Sequence, residues 1–155
     1  MSFATSPDYE NPLSTNTSND YVVIVRSSDS AGNTSDQTLT VTVADADDAA
    51  PSITGASGNA GDSTSSTSIA ENITAVHTFT ANETVTWSMN SGDDKERFAI
   101  DQSTGALIFA TAPDHETPTD SDSNNTYTAV VKATDTAGNG SLQTITVTIL
   151  SLIHI

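Results

Sequence analysis

Asp45, Asp47 and Asp48 place three carboxylates within four positions, and Pro51 closes the stretch. No Lys or Arg lies nearer in sequence than Arg26, so no covalent neighbour offsets the charge. A hydrated, flexible segment tolerates such a cluster, whereas a rigid joint needs a cation. A hard divalent ion bound through several oxygens answers that need. Calcium suits a crowded carboxylate cage better than magnesium, because it accepts six to eight oxygens in irregular geometry. The rest of the chain, with twenty acidic residues in all, supplies candidate further ligands.

Composition narrows the partners. The chain has 155 residues, a formal net charge of −16 and four basic residues. Nucleic acid is excluded as a partner, since phosphate binding needs clustered Lys and Arg, and anionic membrane surfaces are disfavoured for the same reason. The acidity also serves a well-solvated surface. There is no cysteine, so an extracellular setting would require some stiffening device other than disulfides. No apolar run approaches the ~20 residues of a membrane span, so direct membrane insertion is not expected. Residues 1–5 do not read as a signal peptide.

An internal repeat sets the organisation. Phe3-Ala4-Thr5-Ser6-Pro7-Asp8-Tyr9-Glu10 returns 106 residues later as Phe109-Ala110-Thr111-Ala112-Pro113-Asp114-His115-Glu116. At the same offset Tyr21 falls on Tyr127, and Asp29-Ser30-Ala31-Gly32-Asn33 falls on Asp135-Thr136-Ala137-Gly138-Asn139. Residues 37–43 fall on residues 143–149, and close to half of the aligned positions are identical. A period of this length is the size of a domain, not of a solenoid unit. The expected arrangement is the C-terminal part of one copy over residues 1–44, an acidic linker over 45–51 and a nearly complete copy over 52–149. Residues 150–155 fit neither copy, and truncation or a sequence scar is the expected origin of that tail. The chain reads as a fragment of a longer array.

Within each copy the pattern is β. Tyr127, Ala129, Val131 and Ala133 alternate with more polar residues, as do Ile145, Val147 and Ile149 with threonines, which is the period of a half-buried strand. Ala137-Gly138-Asn139 reads as a tight turn between them. Val85, Trp87 and Met89 share one face, Phe98 and Ile100 another, and residues 102–105 form a turn into a strand over 106–109. No helical stripe is evident. Short strands about ten residues apart predict an all-β antiparallel sandwich, with residues 55–68 as a flexible opening.

The ordered set Glu71-Asn72, Phe98-Ala99-Ile100-Asp101, Thr104-Gly105-Ala106-Leu107, Asp114-His115-Glu116 and Tyr127 to Asp135, ending in a strand, resembles the cadherin repeat. It looks most like the bacterial cadherin-like version found in large surface proteins. The resemblance spans about residues 69–149 and again about 3–51. It implies an immunoglobulin-like Greek-key sandwich with calcium at each junction between successive repeats. By position, Asp8 and Glu10 match the family's Asp-x-Glu motif, Asp45, Asp47 and Asp48 match its linker, and Asp135 matches the aspartate that reaches back to the junction. Ala49 stands where the family has a ligating Asn. Asn82 and Glu83 stand near its Asp-x-Asp pair, which is not intact. Glu71, Asp114 and Glu116 match ligands of a following junction, and Asp29 one of a preceding junction. The implied role is calcium binding that rigidifies an extracellular, cell-surface adhesion protein, with cell–cell and homophilic adhesion as the family's activity. Its implied partners are neighbouring repeats and a cell-surface protein or glycan. A passive extracellular spacer and a carbohydrate-binding module are the alternatives.

Other residues read more plainly. Asp120 and Asp122 are expected to be solvated loop residues, a private calcium loop being the alternative. His77 is expected to pack, His115 to fill surface without binding zinc, and Trp87 to lie in the core. Asp114 with Glu116 could form an acid/base pair, but no nucleophile or further base accompanies them, so no enzymatic activity is expected.

Overall fold

The computed structural model describes residues 1–152. They form two units that meet within the acidic stretch: Met1–Asp47, and the chain from Asp48 onward. The C-terminal three residues of the expected anomalous tail lie outside the described residues.

The first unit is built on one antiparallel hairpin, β1 (Asp20–Ser28) and β2 (Thr34–Thr42), with Tyr21 opposite Val41 and Val23 opposite Leu39. β-Branched residues favour the pleat. Asp29 makes the turn: its Oδ1 accepts the amides of Ala31 and Asn33, both at 2.9 Å, and Gly32 takes the left-handed φ of 87° that the turn requires. The hairpin's apolar side chains stay open to solvent, Val22 at 62% and Ile24 at 64% exposure.

The second unit carries the core. Its strands are β3 (Ile53–Thr54), β4 (Thr64–Ala70), β5 (Ala75–Thr78), β6 (Thr80–Ala81), β7 (Thr86–Ser91), β8 (Phe98–Ile100), β9 (Ala106–Phe109), β10 (Thr126–Thr134) and β11 (Gly140–Leu150). Helix among the described residues is limited to one 3-10 turn, Lys95–Arg97. One sheet runs β4-β11-β10-β7 and the facing one β5-β9-β8, with a short β3-β6 pair. This is a Greek-key β-sandwich. In the second unit's opening segment β3 pairs antiparallel with β6, and β4 then runs parallel to β11.

Alternation on β10 and β11 buries Tyr127, Ala129, Val131, Ala133, Ile145, Val147 and Ile149, as the period-two pattern predicts. From the opposite sheet Phe98, Leu107 and Phe109 close the core, and Trp87 lies within it at 4% exposure. The Phe98, Phe109 and Tyr127 rings contact one another, Phe109 and Tyr127 edge to face at 5.0 Å. The buried Tyr127 hydroxyl accepts the Thr119 amide at 3.0 Å. In the first unit Phe3 meets Tyr21 at 5.1 Å, and the Tyr21 hydroxyl accepts the Leu13 amide at 3.1 Å. The repeat therefore folds alike in both copies. β1 and β10 coincide at the 106-residue offset, and so does their pairing register.

The structure corrects the expected flexibility of residues 55–68. β4 is ordered because its Ser and Thr residues pair with β11, and the preceding loop is tied to a polar core group. Gln143, 0% exposed, donates from Nε2 to the Asp62 carbonyl at 2.7 Å, and its Oε1 accepts the Ser65 hydroxyl at 3.0 Å. A buried side-chain amide with both ends paired holds a loop that lacks apolar contacts of its own. His77 packs edge to face on Phe79 at 5.1 Å, and burial lowers its pKa.

Limited proteolysis with a broad-specificity protease should remove residues 1–47 well before it cuts between residues 52 and 150. The first unit exposes its strands and apolar side chains, whereas the second surrounds a core. Equal resistance of both parts, read by mass spectrometry over the time course, would refute this difference in protection.

Candidate metal centre

Two acidic groupings within the second unit hold residues singled out above. In the first, Glu71 comes from one segment and Asp114 and Glu116 from another, and their carboxylate oxygens all lie within 4.8 Å of one another. Glu71 follows β4 directly. The parallel ladder ends with Ala70 opposite Leu150, and the Glu71 amide donates to the Leu150 carbonyl at 3.0 Å. The chain then turns through Asn72, whose φ is +65°, a conformation Asn tolerates better than most residues. Asn72 also donates its amide to the carbonyl of buried Pro113 at 2.8 Å, which brings the Asp114 loop alongside.

Glu71 is 2% exposed and both its oxygens accept backbone amides, Oε2 from His115 at 3.0 Å and Oε1 from Leu152 at 2.7 Å. Asp114 Oδ1 accepts the amides of Glu116 at 2.9 Å and Thr117 at 3.2 Å, and Glu116 Oε1 accepts the Ser151 hydroxyl at 3.2 Å. The first residues of the expected scar are thus part of the fold: Leu150 continues β11, and Ser151 and Leu152 bond to the cluster. Asp114 and Glu116 are exposed. Two unit charges 4 Å apart repel by about 1 kcal/mol even in water, so the cluster gains from a cation.

The donor set fits calcium. Oxygens on opposite sides of a calcium ion, each at about 2.4 Å, stand about 4.8 Å apart. The observed spread stays within that limit for every pair of the three carboxylates.

The second grouping is the Asp135 turn with Glu83. Asp135 is 7% exposed. Its Oδ1 accepts the amides of Gly138 at 2.7 Å and Asn139 at 2.8 Å, and its Oδ2 accepts Asn139 Nδ2 at 2.9 Å. Burial on its own raises the carboxyl's pKa, yet the Asn139 side chain and the amides of Asn139, Gly138 and Ala137 together outweigh it, and the net shift is downward. Asp29, at the equivalent place in the first copy, is likewise lowered, chiefly by the Asn33 side chain. A Glu83 carboxylate oxygen lies within 4.8 Å of one from Asp135. Glu83 thus occupies the region of the broken Asp-x-Asp pair. Its neighbour Asn82 fixes the chain after the linker, with Oδ1 accepting the Ser52 amide at 2.6 Å, beside buried Pro51.

The remaining candidates are more open. Asp45, Asp47 and Asp48 are exposed along the linker, and Glu10 is exposed in its loop. Asp8 uses Oδ1 to accept the Asn11 amide at 3.0 Å.

Sequence reasoning missed two carboxylates. Asp120, expected to be solvated, is 6% exposed and caps its loop, Oδ2 accepting the Asn124 amide at 2.7 Å. Asp94, 3% exposed, accepts the amides of Ser121 at 2.7 Å and Thr128 at 2.8 Å. Asp122 remains exposed, accepting Asn124 Nδ2.

No protein-family model matches the sequence, and no curated protein matches it. Solved structures do. The chain is similar to the protocadherin gamma B7 EC3–6 cis-dimer structure, at 19% identity over 90% of this chain and 35% of that one, with a TM-score of 0.55. It is similar to protocadherin gamma B7 cadherin domains 1–4 at 20% identity, over 86% of this chain and 32% of that one, TM-score 0.55. Human CDH23 EC21–23 matches at 19% identity, over 90% of this chain and 46% of that one, TM-score 0.53. The chain spans between about a third and a half of the length of those structures. The fold is that of cadherin repeats.

Two predictions follow from these hydrogen bonds. Asp135 titrates lower in the folded chain than in the unfolded one. Its contribution is therefore full above the unfolded value near 4 and is lost as pH falls through the lowered folded value. Asp135→Asn, measured with chelator present, should melt below the unaltered protein at pH 6, and the gap should narrow between pH 4 and pH 3. A constant gap would refute the linkage. Asp120→Ala leaves loop amides unpaired and should cost about 1–3 kcal/mol in urea unfolding, with or without calcium.

Proposed function

We propose that this chain is a calcium-stiffened repeat of an extracellular, cell-surface adhesion protein. The observation that carries the reading is the Glu71, Asp114 and Glu116 cluster, three carboxylates from two segments with oxygens within 4.8 Å of one another. Support also comes from the cadherin-like fold and from the placement of the cluster beyond the end of β11, where a following repeat would join. The repeat reasoning extends the proposal to the other junction. Asp8 and Glu10 there stand where Asp114 and Glu116 stand in the second copy, and Asp45, Asp47, Asp48 and Asp135 complete the ligand set, with Asp29 serving a preceding junction. When bound, calcium supplies charge compensation. The chain's own residues orient the carboxylates and order the loops that carry them, and the stiffened array presents its adhesive surface to another cell, to a further copy or to a glycan. No catalytic role is proposed.

Extracellular modules of this kind bind calcium at about 10⁻⁴–10⁻³ M. At a dissociation constant of ~10⁻⁴ M, ~10 mM calcium stabilises the bound state by roughly 2.7 kcal/mol, a melting shift of about ten degrees or more for a domain of this size. Asp114→Ala with Glu116→Ala should remove most of the shift seen for the second unit. Asp47→Ala with Asp48→Ala should remove calorimetric heat belonging to the linker, with the chelated melting point unchanged or slightly higher as repulsion is relieved. The same melting curve in chelator and in ~10 mM calcium, with no calorimetric heat, would overturn the calcium reading. Calcium-dependent aggregation of coated beads then separates self-adhesion from a spacer role.

A further inference from the structure

We infer that Asn125, and Asn19 at the equivalent place in the first copy, are positioning residues for the Asp-x-Glu ligand motif; the functional half of this inference rests on the calcium reading above. Asn125 Nδ2 donates to the backbone carbonyl of His115 at 3.0 Å. In the other unit Asn19 Nδ2 donates to the carbonyl of Tyr9 at 3.1 Å. His115 and Tyr9 are the middle residues of Asp114-His115-Glu116 and Asp8-Tyr9-Glu10, so the same bond forms twice at the 106-residue offset although the middle side chain differs. The middle residue contributes only its backbone to the contact, so exchange of Tyr for His leaves the bond intact.

Both asparagines are anchored from the other side as well. The Asn125 carbonyl accepts the Ile149 amide at 2.9 Å, and the Asn19 carbonyl accepts the Val43 amide at 2.8 Å. Each therefore ties the ligand motif to the last strand pair of its own unit. In the second unit the clamp on His115 is two-sided. Its amide is held by Glu71 Oε2 at 3.0 Å and its carbonyl by Asn125. With both backbone groups of the central residue hydrogen-bonded, Asp114 and Glu116 are presented from a segment tied to both Glu71 and Asn125.

The side chain's own satisfaction does not explain the arrangement. Oδ1 of Asn125 and Oδ1 of Asn19 are buried without a hydrogen-bond partner. A buried unpaired acceptor costs stability, so the amide's recurrence in both copies points to the donor end. Backbone conformation also fails to explain both copies. Asn125 has a φ of +64°, which suits asparagine, whereas Asn19 is not among the residues with positive φ and makes the same bond.

The test uses the full chain with Asn125→Gly, which keeps the left-handed backbone available while removing the amide, and Asn125→Asp, which keeps the shape but replaces the donor with an acceptor. Amide exchange followed by NMR in chelator reads the clamp without any metal. Both variants should raise exchange at His115, Glu116 and Thr117 at least tenfold, with Val131 in the core unchanged. Calcium titration should then show about a tenfold weaker affinity at the Glu71 cluster. Unchanged exchange at residues 115–117 overturns the inference. Raised exchange with unaltered calcium affinity reduces Asn125 to a structural tie and overturns its role toward the ligands. Raised exchange in a protein whose unaltered form takes no calcium defeats the calcium reading while leaving the clamp established.

Discussion

Carboxylates in this chain are held mainly by backbone amides, and the loops depend on that arrangement. Twenty acidic residues face four lysines and arginines, and Arg26 with Asp36 forms an ion pair at 2.7 Å. Backbone N–H groups take the place of cations. Glu71, Asp94, Asp114, Asp120 and Asp135 each accept at least one amide, and so do Asp29 and Asp101 in tight turns. A loop amide buried without an acceptor is costly, and a carboxylate is the strongest acceptor available to it. The acidity that keeps the surface solvated therefore also orders segments that have little apolar material to pack.

That solution leaves the acidic groups close to one another, and the sandwich decides where this happens. Running β4 parallel to β11 puts Glu71 at the end of the ladder, beside the last residues of β11. The Tyr127 hydroxyl and the Asn125 amide draw the loop between β9 and β10 onto the same end. Core packing and the placement of these carboxylates are thus mechanically connected, because the tyrosine that fills the core also anchors Thr119, while two residues earlier Asn125 holds the segment from Asp114 to Glu116. A single short stretch of β10 and its approach serves both purposes.

The two copies make the connection visible within one chain. The hairpin of β1 and β2 repeats the register, the turn carboxylate, the tyrosine contact and the asparagine contact of β10 and β11, even though its apolar residues are far more exposed. These local devices recur with the repeated residues.

The sequence alone determined what alternation and short-range hydrogen bonding can specify. The buried faces of β10 and β11 follow from period two. The turns at Asp29 and Asp135 follow from an aspartate whose side chain caps amides within four residues, with glycine free to take positive φ. Comparison of the two copies also grouped Asp8 with Glu10 and Asp114 with Glu116 as one motif. Only the tertiary structure decided which of these residues stand together. Glu71 joins Asp114 and Glu116 because a parallel ladder with β11 sets its height, and a parallel pairing between distant strands leaves no local trace in the sequence. Loop residues 55–63 read as flexible because Gln143, which ties them down, is 0% exposed on a strand 81 residues beyond its acceptor Asp62. Asp120 read as solvent-facing for the same physical reason: burial of a polar group depends on the partners that three-dimensional folding brings to it, and composition records the polarity but not the partner.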